Sequence, residues 1–272
     1  MTGYDPPRFL WAITGLVYLF LFAPILVVVL FSFNGVKSLQ VLDGFSLQWY
    51  EQFWRDDELR ASLFASIEIA AITTVVATAL GTGLALGTVR SRTRTARTAG
   101  LFLLIPLVTP EIVAGVSAFV LFAQVGIALS LTTIVLAHIT FSISYVTIVV
   151  RGRLASMGSE LEEAALDLGA TPWQAVRLVT LPALWPAVLA AAMIVFALSF
   201  DDFVLSFFTT GESPQPLPVR IYSALRFGIS PTINAVGTLM LVVSVCFIAL
   251  ALLLPRLFGR RESGLKVLTA TE

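Results

Sequence analysis

Charge is scarce in this sequence. Asp, Glu, Lys and Arg make up 12% of its 272 residues, about half of what soluble domains carry. Because a helix needs about 20 apolar residues to cross a bilayer, the stretches without charged side chains locate candidate spans. These stretches are 9–36, 69–89, 112–150, 178–200 and 227–255. The distribution predicts a membrane protein and leaves no room for a separate soluble domain.

Cysteine and histidine are nearly absent. The single Cys246 excludes an intrachain disulfide, and the single His138 has no second imidazole with which to hold a metal ion. A nucleophilic site is disfavoured too, because Ser142 follows His138 by four residues but no third member is evident. The phosphate-binding pattern G-x-x-x-x-G-K-[ST] does not occur. We therefore expect no catalytic residue, metal or cofactor in this chain, and a hydrogen bond inside the bundle for His138.

Six membrane-spanning helices account for the apolar stretches. The long gap is split at Gly126, and Glu111 is allowed inside a span. Lipid cannot satisfy backbone hydrogen bonds, and the apolar runs are continuous, so helices are favoured over a barrel. The predicted spans are 10–33, 62–89, 99–124, 129–150, 183–209 and 232–255. We expect one all-α membrane domain over residues 1–272.

The basic residues are distributed unequally between the two sides. The N-terminus, 90–98, 151–182 and the C-terminus together hold twelve Lys and Arg residues, whereas the loops on the other side hold five. By the positive-inside rule, both termini and the segment 151–182 are predicted to be cytoplasmic. The short basic turn at 90–97 is explained by anionic lipid. It is too short, and too closely flanked by membrane spans, for nucleic acid.

Four acidic residues lie in or near the apolar runs, where ionisable side chains are costly and mark functional sites by default. Glu111 is about twelve residues into the third predicted span, beside Pro106 and Pro110, which predict a kink. Asp201 and Asp202 follow one another in the fifth span and cannot both point the same way. The four candidates for a substrate passage are Glu68, Glu111, Asp201 and Asp202. Structural alternatives stay open: a protonated or helix-end-paired Glu111, and an aspartate pair already at the interface.

The segment from Ser159 to Pro182 is rich in charge and in helix-forming residues. Ser159 and Glu162 have the spacing of a capping box, and Gly169 suits the left-handed position that ends a helix. Thr171, with Gln174 three residues on, predicts a second cap. The pattern indicates a helix–glycine–helix unit joined at Pro182 to the fifth span. The alternative is an ordinary amphipathic connection.

The same segment resembles the EAA motif of binding-protein-dependent ABC importer permeases, E-A-A-x3-G-x9-I-x-L-P. The matching residues are Glu163, Ala164, Ala165, Gly169, Val179, Leu181 and Pro182, with Val179 in place of isoleucine. The resemblance implies coupling helices that dock on an ATP-hydrolysing subunit. It also implies the MetI-like type I fold, here with an extra N-terminal helix (10–33), a core (62–255) and a cytoplasmic coupling loop (151–182). A stand-alone channel or secondary transporter would not need this element.

A narrower resemblance covers the segments 137–154, 196–211 and 217–241. They look like the second permease subunit of spermidine/putrescine importers, above all in LSFDDF and ISPTINA. The resemblance implies a non-catalytic subunit of the bacterial inner membrane that forms a heterodimer with a sister permease. Its other implied partners are a dimer of ATP-binding subunits, which hold the ATP and Mg²⁺, and a periplasmic binding protein. Related permeases carry ferric ion, thiamine or other organic cations, so these substrates stay open as alternatives.

Overall fold

A computed structural model describes residues 8–38, 40–89, 94–212, 214–226 and 230–268. Within these ranges the chain is helical, and the only extended pairing is an isolated bridge between Asn34 and Phe45. The predicted all-α class is confirmed. The helices are α1 (Arg8–Ser32), α2 (Gln48–Arg55), α3 (Asp57–Val89), α4 (Arg94–Phe102), α5 (Ile105–Val108), α6 (Glu111–Val125), α7 (Leu131–Ser156), α8 (Glu160–Asp167), α9 (Pro172–Ala175), a π-helix (Val176–Thr180), α10 (Leu181–Phe200), α11 (Val204–Thr209), α12 (Leu217–Leu225) and α13 (Pro231–Leu268).

Four of the predicted spans are single long helices in the structure. They are 10–33, 62–89, 129–150 and 232–255, which correspond to α1, α3, α7 and α13. Among the described residues, five helices are long and apolar enough to cross a membrane. The number rises to six if one sharply bent pair of helices counts as a single span. The predicted number of spans therefore agrees with the structure.

The third predicted span, 99–124, is not one helix. The chain bends by 106° between Gly100–Val108 and Glu111–Val125. Thr109 is extended, with φ −70° and ψ 128°, because a residue that precedes proline is pushed out of the helical region. Glu111 is consequently the first residue of α6, and its predicted place twelve residues into a helix is wrong.

The fifth predicted span, 183–209, is also wrong as a continuous helix. α10 ends at Phe200, and α11 begins at Val204. Between them, the Asp202 carboxylate accepts a hydrogen bond from the Ser206 N–H at 3.0 Å. Because such a side chain replaces a carbonyl partner of the first helical turn, it starts a new helix rather than extending the old one.

The chain divides into two compact units. The unit formed by Ala61–Val219 and Val243–Glu272 has its core where α3, α7 and α10 pack together, around Val146, Leu184 and Val195. α3 contributes small residues to this core, which lets the helix backbones approach closely. In α3 these residues are Ala77, Gly81 and Ala85, four apart.

The other unit comprises Met1–Arg60 and Arg220–Val242. Its centre is the buried Asn34, whose backbone oxygen accepts from the Trp49 indole at 2.6 Å. Asn34 also fixes the following loop, because its side-chain oxygen accepts from the Asp43 N–H at 2.8 Å. The prediction that residues 1–272 form a single domain stays a prediction.

Candidate functional site

The segment that carries the EAA motif folds as two short helices around one glycine. α8 ends in a Schellman arrangement, because the Ala170 N–H donates to the Ala165 oxygen at 3.0 Å and the Gly169 N–H to Leu166 at 2.9 Å. Gly169 has φ +88°, a conformation that residues with a side chain rarely adopt. The predicted helix–glycine–helix unit is confirmed in its backbone.

Of the two predicted caps, one forms. The Thr171 hydroxyl accepts from the Gln174 N–H at 3.3 Å, and the Gln174 side chain accepts from the Thr171 N–H at 2.8 Å. The capping box predicted for Ser159 and Glu162 is wrong, since the Ser159 side chain makes no capping hydrogen bond. The Glu162 carboxylate instead accepts from the Thr180 hydroxyl at 3.0 Å, so that α8 is bound to the π-helix.

The junction with the fifth span is continuous rather than a break. Residues 172–200 form one run in which α9 passes through the π-helix into α10. The Leu181 N–H donates to the Val176 oxygen, five residues back. Pro182 has no N–H with which to continue the ordinary four-residue ladder, and the wider turn lies directly before it. The segment is therefore joined to α10 without an intervening loop.

Large apolar side chains of this segment lie exposed. The sequence analysis did not predict this exposure. Leu168 is 90% exposed and Trp173 71% exposed, on either side of Gly169. Glu163 and Ala164 are also exposed, on α8. A contiguous apolar patch outside the bilayer would mark a protein interaction site. The place of these residues beside the capped glycine is a signal that the sequence carried.

A cavity of about 190 Å³ lies where the two helix breaks meet α7. It is lined by Glu111, His138, Phe141, Ser142, Tyr145, Leu198, Ser199, Asp202 and Leu205. Two of the four predicted acidic residues, Glu111 and Asp202, thus face one cavity from α6 and from the start of α11. Glu111 is the first residue of α6, and Asp202 lies two residues before α11 and accepts from its first turn. At both places the helix dipole favours a negative charge. The two carboxyl groups lie within interaction distance of each other, and both can meet one positively charged group.

The other two acidic candidates lie outside this cavity. Glu68 is exposed on α3, and Asp201 is exposed at the end of α10. The prediction that the neighbouring aspartates point in different directions is confirmed, because the Asp202 side chain is only 8% exposed. A passage role for Glu68 and Asp201 stays a prediction.

His138 makes the expected hydrogen bonds inside the bundle. Its Nδ1 lies 2.7 Å from the Ser199 hydroxyl, and its Nε2 lies 3.1 Å from the Ser206 hydroxyl. Nε2 is also 3.1 Å from Oδ2 of Asp202. The sequence did not predict that these partners come from both sides of a helix break.

Membrane-spanning helices around a charged cavity, continuous with an exposed capped loop, define a helical membrane transport subunit. The family described as binding-protein-dependent transport system inner membrane components matches residues 77–264. The chain belongs to this family, and it is a permease subunit of an ABC importer. The resemblance found in the EAA motif is confirmed.

Two curated relatives extend the comparison over most of the chain. The putrescine transport system permease protein PotI of Escherichia coli K12 is 38% identical over 231 residues, with 82% of each chain covered. The spermidine/putrescine transport system permease protein PotC of Haemophilus influenzae is 37% identical over 240 residues. That match covers 88% of this chain and 93% of PotC.

Solved structures share the fold. A bacterial ABC transporter for import of the acidic polysaccharide alginate has a TM-score of 0.73 at 15% identity, covering 92% of this chain and 95% of that one. The methionine ABC transporter MetNI has a TM-score of 0.60 at 19% identity, covering 74% and 94%. At these identities the likeness concerns the fold alone, and it confirms the MetI-like type I permease architecture.

Proposed function

We propose that this chain is the permease subunit through which an ABC importer passes polyamines, putrescine or spermidine. The observation that carries the proposal is the convergence of Glu111 and Asp202 on one cavity at two helix breaks. Discontinuous helices are where transporters commonly place substrate groups inside the membrane. The names of the relatives, PotI and PotC, support the same substrate class.

A primary ammonium group suits this cavity. Moving a cation out of water is costly, and opposite charges offset part of that cost. Glu111 and Asp202 supply those charges, while the rings of Phe141 and Tyr145 line the same wall. Aromatic faces attract cations, so the lining contains two kinds of group that favour an ammonium ion.

The neighbouring apolar surface distinguishes a polyamine from a metal ion. Phe141 and Leu205 also line a second cavity of about 370 Å³, whose other lining residues include Pro106, Leu121 and Phe122. A polyamine alternates ammonium groups with methylene chains, and therefore matches a charged cavity that adjoins an apolar one. Ferric ion would require several oxygen ligands and would gain nothing from the apolar surface.

The EAA segment is proposed as the coupling element. Glu163, Ala164, Ala165, Gly169, Leu181 and Pro182 are the proposed coupling residues. The exposed Leu168 and Trp173 supply the apolar area that a docking surface needs. The continuous run from α9 through the π-helix into α10 supports a path from this surface to Asp202. In this proposal the chain hydrolyses nothing, and a separate ATPase dimer binds ATP and Mg²⁺.

Besides the ATPase dimer, the assembly proposed here has two further parts. A sister permease completes the passage, and a periplasmic binding protein delivers the substrate. Both termini and the coupling loop lie in the cytoplasm, which is supported by the excess of basic residues on that side. Selection among polyamines is assigned mainly to the binding protein.

Uptake competition tests the substrate. The complex is reconstituted with its own partner subunits, and uptake of labelled putrescine and spermidine is measured with unlabelled putrescine, spermidine, thiamine or ferric ion as competitors. We expect the two polyamines to compete with each other, and thiamine and ferric ion to have no effect. Uptake of thiamine or ferric ion without polyamine uptake would replace the proposed substrate and leave the permease assignment intact.

A further inference from the structure

His138 bridges the break in the fifth span. Ser199 lies in the last turn of α10, Asp202 lies in the break and Ser206 lies in α11, and all three contact one imidazole. His138 is 2% exposed, so water does not compete for these contacts. One side chain of α7 therefore fixes both halves of a broken helix.

Two contacts of Asp202 share one of its oxygens. Its Oδ2 lies 3.1 Å from Nε2 of His138 and accepts from the Ser206 N–H at 3.0 Å. An ionised carboxylate only accepts hydrogen bonds, so the imidazole directs Nε2–H toward it, and Nδ1 of a neutral ring then accepts from the Ser199 hydroxyl. The carboxyl group of Asp202, which lines the cavity, is thus held by these two donors.

We infer that His138 is the positioning residue of the cation site. It orients the Asp202 carboxylate toward the cavity and connects it to both halves of the broken span. His138 acts through Asp202 rather than by binding a cation itself. A site group held by packing and hydrogen bonds keeps its productive geometry, whereas one left to rotate loses it. The inference rests on the proposed function, in which Asp202 meets a substrate ammonium group.

The alternative is that the His138 contacts serve only the stability of the helix packing. The chain offers a matched control for this alternative. Thr133 also connects α7 with α11, because its hydroxyl lies 2.8 Å from the Thr209 oxygen, which shares this donor with the Ser130 oxygen at 2.7 Å. This bond is buried, as that of His138 is, but Thr133 does not line the cavity. Loss of the Thr133 bond therefore weakens the same helix pair without touching Asp202.

The experiment uses the reconstituted complex with its binding protein at saturation. Transport of putrescine per assembled complex is measured for His138→Leu, His138→Gln, Asp202→Asn, the double variant His138→Leu with Asp202→Asn, and Thr133→Val. We expect His138→Leu and Asp202→Asn each to lower transport on the order of tenfold, as for loss of a hydrogen bond to a charged group. The double variant should be no worse than Asp202→Asn, because His138 acts through that carboxylate.

Two further results are expected if His138 is a positioning residue. His138→Gln recovers most of the loss, since its amide can donate to Asp202 in place of the imidazole. Thr133→Val lowers the melting temperature of the purified complex but leaves transport per complex unchanged. Normal transport in His138→Leu, multiplied losses in the double variant, or an equal loss in Thr133→Val would each overturn the inference. Normal transport in Asp202→Asn would instead refute the proposed acidic cation site.

Discussion

The four acidic candidates of this permease differ in where they lie along the helices. Glu111 and Asp202 stand where a helix begins, and both face the cavity; Glu68 and Asp201 are exposed. A carboxylate at the start of a helix is stabilised by the unpaired N–H groups of the first turn. This placement distinguishes the two carboxyl groups of the cavity from those of Glu68 and Asp201.

Two glycines of α3 give a prediction about the stability of helix packing. A Cβ atom at Gly81 would lie 2.6 Å from Cβ of Val146 and 3.0 Å from the Ile143 oxygen, whereas one at Gly87 would meet nothing within 4 Å. We expect Gly81→Ala to destabilise the permease by about 1–3 kcal/mol, the usual cost of overpacking. Gly87→Ala should be neutral or stabilise by up to about 1 kcal/mol. Thermal unfolding of the detergent-purified subunit measures both variants, and equal melting temperatures would contradict close packing of α3 on α7.

Some helix ends were predicted correctly from the sequence, and one was not. The Schellman turn at Gly169 and the cap at Thr171 were predicted correctly, because each depends on residues only a few positions apart. The capping box at Ser159 was wrong, since Glu162 binds Thr180 from the far side of the turn. Local spacing cannot show that a competing partner eighteen residues away will be closer in space.

The two helix breaks explain what the sequence left open about the site. A charge inside an apolar run is visible in the sequence, so Glu111 and Asp202 were recognised as candidates. Their convergence depends on a 106° bend after Val108 and on the interruption after Phe200. The cap formed by Asp202 was a usable signal, because aspartate favours the first turn of a helix. No local pattern linked that cap to His138, which belongs to another helix.

The coupling loop carries its own prediction. We expect Glu163→Lys and Gly169→Pro to lower uptake and substrate-stimulated ATP hydrolysis by on the order of tenfold or more. Lysine reverses a charge on the proposed docking surface, and proline cannot adopt the φ of +88° found at Gly169. Uptake, ATP hydrolysis and membrane insertion are measured in the assembled complex.

A matched control lies on the same helix. Glu160→Lys makes the same charge change one turn earlier, in the exposed first turn of α8 and outside the EAA motif. We expect all three variants to insert normally and Glu160→Lys to keep most of the uptake. Wild-type uptake in Glu163→Lys and Gly169→Pro would remove the coupling role from this segment.

For the molecule as a whole, orientation in the membrane decides which partner can reach which surface. The exposed apolar residues around Gly169 can meet an ATPase only if the coupling loop lies in the cytoplasm. The positive-inside rule predicts the segment 34–61 on the opposite side, within reach of a periplasmic protein. The unequal distribution of basic residues supports this orientation.

Cysteine labelling tests the orientation directly, since Cys246 is the only cysteine in the sequence. In a Cys246→Ser background, Ser159→Cys and Val41→Cys place single thiols at exposed positions on the two predicted sides. A membrane-impermeant maleimide should label Val41→Cys in spheroplasts, and Ser159→Cys only in inside-out vesicles. The reversed pattern would place the coupling loop outside the cell and contradict the proposed partnership with an ATPase.

The π-helix at Val176–Thr180 makes the angular setting of the coupling loop depend on a single residue. A π turn contains one residue more than the α turn it replaces, and each residue of an α-helix advances the chain by about 100° around the axis. If Val176–Thr180 wound as an ordinary α-helix with no change of sequence, α8 and α9 would turn by roughly that angle about α10. The rotational phase of the motif is therefore a property separate from its sequence.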